Sequence, residues 1–134
     1  MLFRSEPMVF AENGAGAFWK WKYKDVFPCW GLGTGCMLIK TAVFNKIPEP
    51  WFKTIHTRDD AEPELLMNNV NLFEMSEDLY FCEKLHRHGF KVLAHGGVLP
   101  VHYGPNGRYY KLHDRAYPMK GVPAQELWYS KYQQ

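Results

Sequence analysis

The strongest periodic pattern in the chain lies between residues 76 and 89. Apolar side chains recur there at helical spacing, at Leu79, Phe81, Cys82 and Leu85. Charged side chains lie mostly outside this stripe, at Glu83, Lys84, Arg87 and His88. Ser76 suits an N-cap because its hydroxyl can accept from the free amides of a first turn, and Gly89 is typical of the residue that ends a helix. The pattern predicts an amphipathic helix over residues 77–88.

Extended segments flank this helix in the sequence. Residues 90–94 and 98–102 each have the apolar character of a short strand, and Pro100 favours an edge position for the second. Earlier in the chain, the alternating glycines at 31, 33 and 35 lead into the apolar residues 36–39, which predict a buried strand. Their spacing is not that of a dinucleotide-binding loop. The order of elements predicts an α/β domain with a small mixed sheet and flanking helices.

Residues 18–24, F-W-K-W-K-Y-K, alternate aromatic and lysine side chains. On a strand, the three lysines would share one face and the aromatic rings the other. Two interpretations stay open for the lysines: they face a diphosphate or an anionic acceptor, or they form a solvated face over packed aromatic residues. The adjacent charges Arg58, Asp59 and Asp60 are best explained as a solvated loop cluster.

Composition narrows the class of protein. The 134 residues are 46% hydrophobic and 22% charged, which indicates one folded domain. A net charge of +2 is too small to indicate a nucleic-acid partner. Aromatic residues make up 16% and fit either a sugar-binding surface or a core of large side chains. Three cysteines without a C-x-x-C pair favour a reducing, cytoplasmic location, and no run of residues is apolar enough to predict a transmembrane segment.

Four runs of residues, in this order, resemble the acceptor-side half of a GT-A glycosyltransferase, with family 2 the most similar. They are G-T-G-C-M-L-I-K-T-A-V-F-N-K-I, P-W-F, S-E-D-L-Y-F-C-E-K-L-H-R-H-G-F-K-V and V-H-Y-G. The match spans about residues 31–104. The resemblance implies one domain over residues 1–134, with a partial nucleotide-diphospho-sugar transferase fold, a core over 28–104 and a C-terminal tail over 105–134.

The resemblance also implies an activity and a role for individual residues. The reaction would transfer a sugar from a nucleotide-diphosphate donor to a hydroxyl of a carbohydrate or other acceptor, with inversion. Asp78, the second residue of the Glu-Asp pair, would be the general base, and Glu77 would position the acceptor. His102 would be a ligand of a divalent metal, Mn²⁺ or Mg²⁺. The resemblance places the acceptor pocket at Trp30, Gly33, Thr34, Gly35 and Trp51.

Two parts of such an enzyme are not found in the sequence: the D-x-D metal motif and the alternating strands and helices that bind the nucleotide. We therefore expect a C-terminal half that needs a donor-binding N-terminal half, exposes apolar surface and is inactive alone. Ser-Glu-Asp is also an ordinary helix opening, so other classes stay open. One is a non-catalytic module that binds carbohydrate or protein. The other is a metal-dependent hydrolase built on Glu77, Asp78 and His102.

Overall fold

The computed structural model describes residues 8–13, 18, 20–69, 72, 74–98, 102–103 and 109–110. Two α-helices and short strands make up its α/β architecture. The helices are α1 (Pro63–Asn68) and α2 (Glu77–Arg87). The strands are β1 (Val9–Phe10), β2 (Val26–Cys29), β3 (Gly31–Leu32), β4 (Val92–His95), β5 (His102–Tyr103) and β6 (Tyr109–Tyr110). Single 3₁₀ turns lie at Thr34–Cys36, Thr41–Val43 and Arg58–Asp60. No helix in this part of the chain is long and apolar enough to cross a membrane.

The strands pair as three separate two-stranded antiparallel sheets, β1 with β3, β2 with β4 and β5 with β6. The prediction that residues 36–39, 90–94 and 98–102 form one small mixed sheet is therefore wrong, because these segments do not pair with one another in the described residues. Strand β4 does fall within two residues of its predicted position, but its partner is β2, which the sequence pattern did not indicate. Val98 lies outside any strand, and residues 99–101 and most of the tail from 104 onward lie outside the described residues.

Residues 36–39 do not form the predicted buried strand. Cys36 ends a 3₁₀ turn and is exposed, and the Leu38 side chain is fully exposed at 102%. Met37 and Ile39 are half-buried and pack against the first core cluster. An apolar run can alternate in this way without being a strand, because a segment lying across a core buries every second side chain even where no neighbouring strand pairs with it.

Helix α2 confirms the prediction to within one residue at its C-terminus, and Gly89 follows with a φ of 78°, the left-handed conformation that glycine adopts most readily. Ser76 is at the N-cap position, but its hydroxyl makes no capping hydrogen bond. The Ser76 Oγ is instead buried without a partner among the described residues. The predicted cap position is correct and the predicted capping hydrogen bond is wrong.

Helix α2 lies between two core clusters, and this explains a second error of the sequence pattern. Phe81, Cys82 and Leu85 belong to the first cluster with the inner residues of β2 and β4, whereas Tyr80 belongs to a second cluster with Ile55 and Leu65. Because both sides of the helix are covered, Glu83 and Lys84 are only 3% and 4% exposed, although they lie outside the apolar stripe. They were predicted to lie mostly outside the buried face.

Residues 18–24 form no strand in the described part, and the chain turns at Tyr23 and Lys24. The predicted alternation of burial is nevertheless present. The three lysines are exposed, while Trp21 and Tyr23 are half-buried. The Trp21 ring stacks on Phe27 at 6.2 Å between centroids. The lysines therefore form a solvated face over packed aromatic residues.

Candidate functional site

The carboxylates of Glu77 and Asp78 lie in the first turn of α2, where the helix dipole favours negative charge. Their environments differ. Glu77 is exposed, whereas Asp78 is half-buried. The Glu-Asp pair therefore presents one carboxylate to solvent and holds the other against the protein.

Asp78 faces the glycine-rich segment that precedes residues 36–39. The Thr34 hydroxyl Oγ1 donates a hydrogen bond to Asp78 Oδ1, although the two residues are 44 positions apart in the chain. The second oxygen, Oδ2, lies on the side of Gly33: a Cβ built on Gly33 would be 3.9 Å from it. The structure thus brings together three residues that the resemblance assigned to one site: Gly33 and Thr34 for the acceptor and Asp78 as the base.

Packing between β3 and α2 sets this approach. Gly31 in β3 is buried, and a Cβ at this position would come within 2.8 Å of Leu79 Cδ2. The Cys82 thiol lies 3.6 Å from the Leu32 carbonyl oxygen, to which it can donate. Since glycine lets the backbone of β3 lie directly on the helix, the loop that follows reaches the first turn of α2. Gly33 N–H also donates to the Met8 carbonyl at 2.9 Å, which holds the loop from the other side.

The Cys82 thiol is an ionisable neighbour of the Asp78 carboxylate. Burial raises the pKa of the Cys82 thiol, and the negative charge of Asp78 adds to the rise, against the opposing effect of the hydrogen bond to Leu32. Because a thiol is nucleophilic as the thiolate, the raised pKa makes Cys82 a poorer nucleophile than an exposed cysteine. The Asp78 carboxylate above it has one oxygen held by Thr34 and the other beside Gly33.

The other predicted acceptor residues have different surroundings. Trp30 packs against the second core cluster, and its carbonyl oxygen is 2.7 Å from a ring nitrogen of the half-buried His86. Trp51 packs against the first cluster, with its ring 4.8 Å from that of Phe44. Gly35 is exposed, with open space where a side chain would be. The two tryptophans contact the core, whereas Thr34 contacts Asp78.

The predicted metal ligand His102 is in β5, paired with Tyr110, but its side chain lies outside the described residues. Among the side chains that are described, no group of three His, Cys, Asp or Glu is placed to hold a metal ion. Asp60 instead accepts hydrogen bonds from Thr57 through both N–H and Oγ1, and from His56 N–H. These bonds, chiefly those from Thr57, lower the pKa of the Asp60 carboxyl, so it acts as a local turn stabiliser.

Sequence reasoning missed a polar network on the opposite side of α2 from β3 and β4. The Tyr80 hydroxyl donates to Glu62 Oε1 at 2.6 Å, and the Lys84 ammonium donates to the Pro50 carbonyl at 2.6 Å. Lys53 Nζ is 3.5 Å from Glu62 Oε1. The spacing of Tyr80 and Lys84, one helical turn apart on the same face, is the only sequence signal that could have indicated it.

Burial sets the direction of the pKa shift for two groups in this network, Tyr80 and Lys84. Burial raises the pKa of Tyr80 and lowers that of Lys84, because each group is less well solvated in its charged form. Burial also acts to raise the pKa of Glu62, but the hydrogen bond from Tyr80 and the charge of Lys53 outweigh it and hold the pKa below its ordinary value. The network ties α2 to the start of α1 and to residues 50–53, behind the site at Asp78.

Comparison with known proteins leaves the family open: the chain matches no protein-family model, and neither a curated protein nor a solved structure is significantly similar to it.

Proposed function

We propose that this chain supplies the acceptor side of a glycosyltransferase, with Asp78 as the general base that deprotonates the acceptor hydroxyl. One observation carries the proposal: the glycine-rich loop and the Glu-Asp helix opening, 44 residues apart, meet through the Thr34–Asp78 hydrogen bond. These are the two motifs that the resemblance to GT-A enzymes assigns to the acceptor pocket and the catalytic base.

The proposed chemistry uses the two Asp78 oxygens differently. Thr34 holds Oδ1 and so fixes the orientation of the carboxylate, while Oδ2, beside Gly33, takes the proton from the acceptor hydroxyl. The acceptor oxygen forms the new bond to the anomeric carbon as the bond from that carbon to the diphosphate oxygen breaks. The departing diphosphate takes both electrons of the broken bond, so one displacement inverts the configuration. Glu77, exposed next to Asp78, can accept a hydrogen bond from another acceptor hydroxyl.

The divalent metal and the role of His102 stay predictions, and no step above depends on them. The donor-binding half and the cytoplasmic location stay predictions in the same sense. The proposal for this chain is limited to binding an acceptor and receiving its proton.

Acceptor binding can be tested on the chain itself. ¹⁵N-labelled protein would be titrated with a panel of mono- and oligosaccharides, with and without a nucleotide diphosphate and Mn²⁺. We expect amide shift changes centred on residues 33–35 and on Glu77 and Asp78. Asp78→Asn keeps the shape of the side chain and removes its charge, so it should weaken binding of the responding sugar. Asp59→Asn, an exposed carboxylate in a loop, is the matched control and should leave binding unchanged.

Turnover provides the second test. In any preparation that transfers sugar from a nucleotide donor, Asp78→Asn should lower kcat by about 10²-fold or more, the usual contribution of a general base. Full activity in that variant would remove Asp78 from the mechanism. If no sugar in the panel perturbs residues 33–35 or the start of α2, the acceptor assignment is wrong.

A non-catalytic binding module is the second candidate, and a specific contact favours it. A carboxylate already engaged by Thr34 can serve to pin the glycine-rich loop to α2. The two candidates predict different results for Asp78→Asn. Its amide oxygen can still accept the hydrogen bond from Thr34, so a binding module would keep its sugar affinity. A transferase would lose turnover.

A further inference from the structure

One face of the β2–β4 sheet is exposed although it is largely apolar. The antiparallel register places Val26 opposite His95 and Pro28 opposite Leu93. These four side chains are exposed, while the alternate residues Cys29, Val92 and Ala94 point into the first core cluster. Val26 is 59% exposed and Leu93 is 53% exposed. Val98, just after β4, is 50% exposed. We call Val26, Pro28, Leu93, His95 and Val98 the outer face.

Lysines border the outer face at both ends of the sheet. Lys91 directly precedes β4 and is exposed on the same side as Leu93, by the alternation along the strand. At the other end, a Cβ on Gly97 would be 3.1 Å from Lys24 Cγ and 3.0 Å from the His95 ring, so Lys24 lies beside His95. A Cβ on Gly96 would be 2.7 Å from the Lys22 carbonyl oxygen, which places the lysine segment against the same turn.

The charge of this region is concentrated and mostly positive. Residues 20–28 and 91–98 contain four lysines and a single carboxylate, Asp25, which gives a net charge of +3. The whole chain carries +2, so all other residues together carry −1. Trp21 and Tyr23 are half-buried between the exposed lysines, and the Trp21 ring stacks on Phe27, on the inner side of the sheet. Exposed apolar side chains bordered by lysines match the chemistry of a surface that binds anionic lipid headgroups.

We propose that the outer face docks this protein reversibly on a membrane surface that carries anionic lipids. Val26, Leu93 and Val98 would enter the headgroup region, and the lysines at residues 22, 24 and 91 would contact lipid phosphates and carboxylates. Each lysine near such a surface contributes about 1 kcal/mol, or roughly fivefold in affinity, and the half-exposed apolar side chains add to this on burial. This inference does not depend on the proposed transferase function.

A second copy of the chain fits this face less well. Each strand has four residues and is roughly 13 Å long, so a two-stranded face is far smaller than the roughly 800 Å² per partner of a stable interface. In a two-fold pairing, the lysines at the ends of one sheet would also meet the lysines of the other. Charge complementarity therefore favours an anionic surface over self-association.

Sedimentation with lipid vesicles tests the proposal. The protein is mixed with vesicles of phosphatidylcholine alone or with 30% phosphatidylserine, at low and high salt. We expect retention only on the anionic vesicles, weakening as salt rises because the lysines are exposed. Lys22→Gln combined with Lys24→Gln should lower the vesicle affinity by about 25-fold. Leu93→Ser should lower it by at least about fivefold.

Matched variants separate this surface from general attraction between charges. Lys40→Gln with Lys46→Gln removes the same charge from the segment beside Phe44, and Leu38→Ser removes a fully exposed apolar side chain. Both should change the vesicle affinity by less than twofold, and circular dichroism melting should be unchanged in all four variants because every substituted side chain is exposed.

Three results would overturn the proposal. One is no retention on the anionic vesicles at low salt. Another is an equal loss of affinity in the two double-lysine variants, which would show that only net charge matters. The third is a dimer in light scattering that Leu93→Ser dissociates, which would show that a second copy occupies the outer face.

Discussion

Replacing Tyr80 with phenylalanine removes one hydroxyl from the interior, and with it the hydrogen bond that ties α2 to the start of α1 and the longer one from Lys84 Nζ, at 3.5 Å. Tyr80 is 0% exposed, and its hydroxyl donates at 2.6 Å to Oε1 of Glu62, the N-cap residue of α1. Phenylalanine keeps the ring packing against Ile55 and Leu65, so no cavity is made. The change therefore measures the hydrogen bonds of the hydroxyl, chiefly the short one to Glu62, rather than lost packing.

The structure sets the size of the effect. A hydrogen bond to a charged group contributes about 1.5–3 kcal/mol, and the Tyr80 variant leaves Glu62 Oε1 with only Lys53, at the longer distance of 3.5 Å. The other oxygen, Oε2, is already buried without a partner among the described residues. We expect Tyr80→Phe to lower the free energy of unfolding by about 2 kcal/mol, within the range for a charged hydrogen bond. That is about a 1 M decrease in the urea midpoint for a slope near 2 kcal/mol per M.

The assay is urea unfolding followed by tryptophan fluorescence at pH 7, with a double-mutant cycle. Combined with Glu62→Gln, Tyr80→Phe should show a coupling energy of about 1 kcal/mol or more. Combined with Glu64→Gln, an exposed carboxylate on the same helix, it should be additive. A Tyr80→Phe variant as stable as the parent, or equal coupling to both carboxylates, would refute the role given to this bond.

The pH dependence of the same variant gives a check with a defined sign. The pKa of Glu62 is lower in the folded protein than its ordinary value, so its contribution to stability is present above that ordinary value. It is lost as the pH falls through the folded-state pKa. The difference in stability between parent and Tyr80→Phe should therefore be largest near neutral pH and shrink in acid.

Two further predictions concern the core. Gly96→Ala should lower the free energy of unfolding by about 1–3 kcal/mol, because the new Cβ would be 2.7 Å from the Lys22 backbone oxygen. Gly35→Ala should change it by less than about 0.5 kcal/mol, because nothing lies within 4 Å of the new Cβ. Thermal melting compares the two variants. N-ethylmaleimide at pH 7.5 should add once to the native protein, at exposed Cys36, and three times in urea, as mass spectrometry would show. Burial, with a smaller effect of the neighbouring thiol, raises the pKa of Cys29 to about 11, so rapid native labelling of either buried cysteine would contradict the packing described.

The features that depend on residues close together in the sequence could be predicted, and helix α2 is the example. The start and end of α2 follow from Ser76, the two carboxylates and Gly89, all within one stretch of sequence. The partner of β4 could not be predicted in this way, because β2 lies more than 60 residues away and contains Pro28, which argues against a central strand.

In the candidate site, too, one contact could be predicted and others could not. The resemblance assigned Thr34 and Asp78 to one site, and their contact is present. The burial of Lys84 was not predicted, because it depends on residues around Pro50 that cover the helix from a distant part of the chain. Periodicity identifies the most apolar side of a helix, and it does not show whether the other sides are covered as well.

The pairing of β2 with β4 also has a consequence during synthesis. Cys29 and Val92 are 63 residues apart, so β2 leaves the ribosome long before its partner exists. At the usual rate of 5–20 residues per second, the interval is roughly 3–13 seconds. Throughout it, the inner side chains of β2 have no β4 to cover them, and the first core cluster cannot close. A nascent chain stalled before Val92 would therefore expose a ready template for a wrong strand, and it should bind chaperones that a chain no longer needs once β4 has left the exit tunnel.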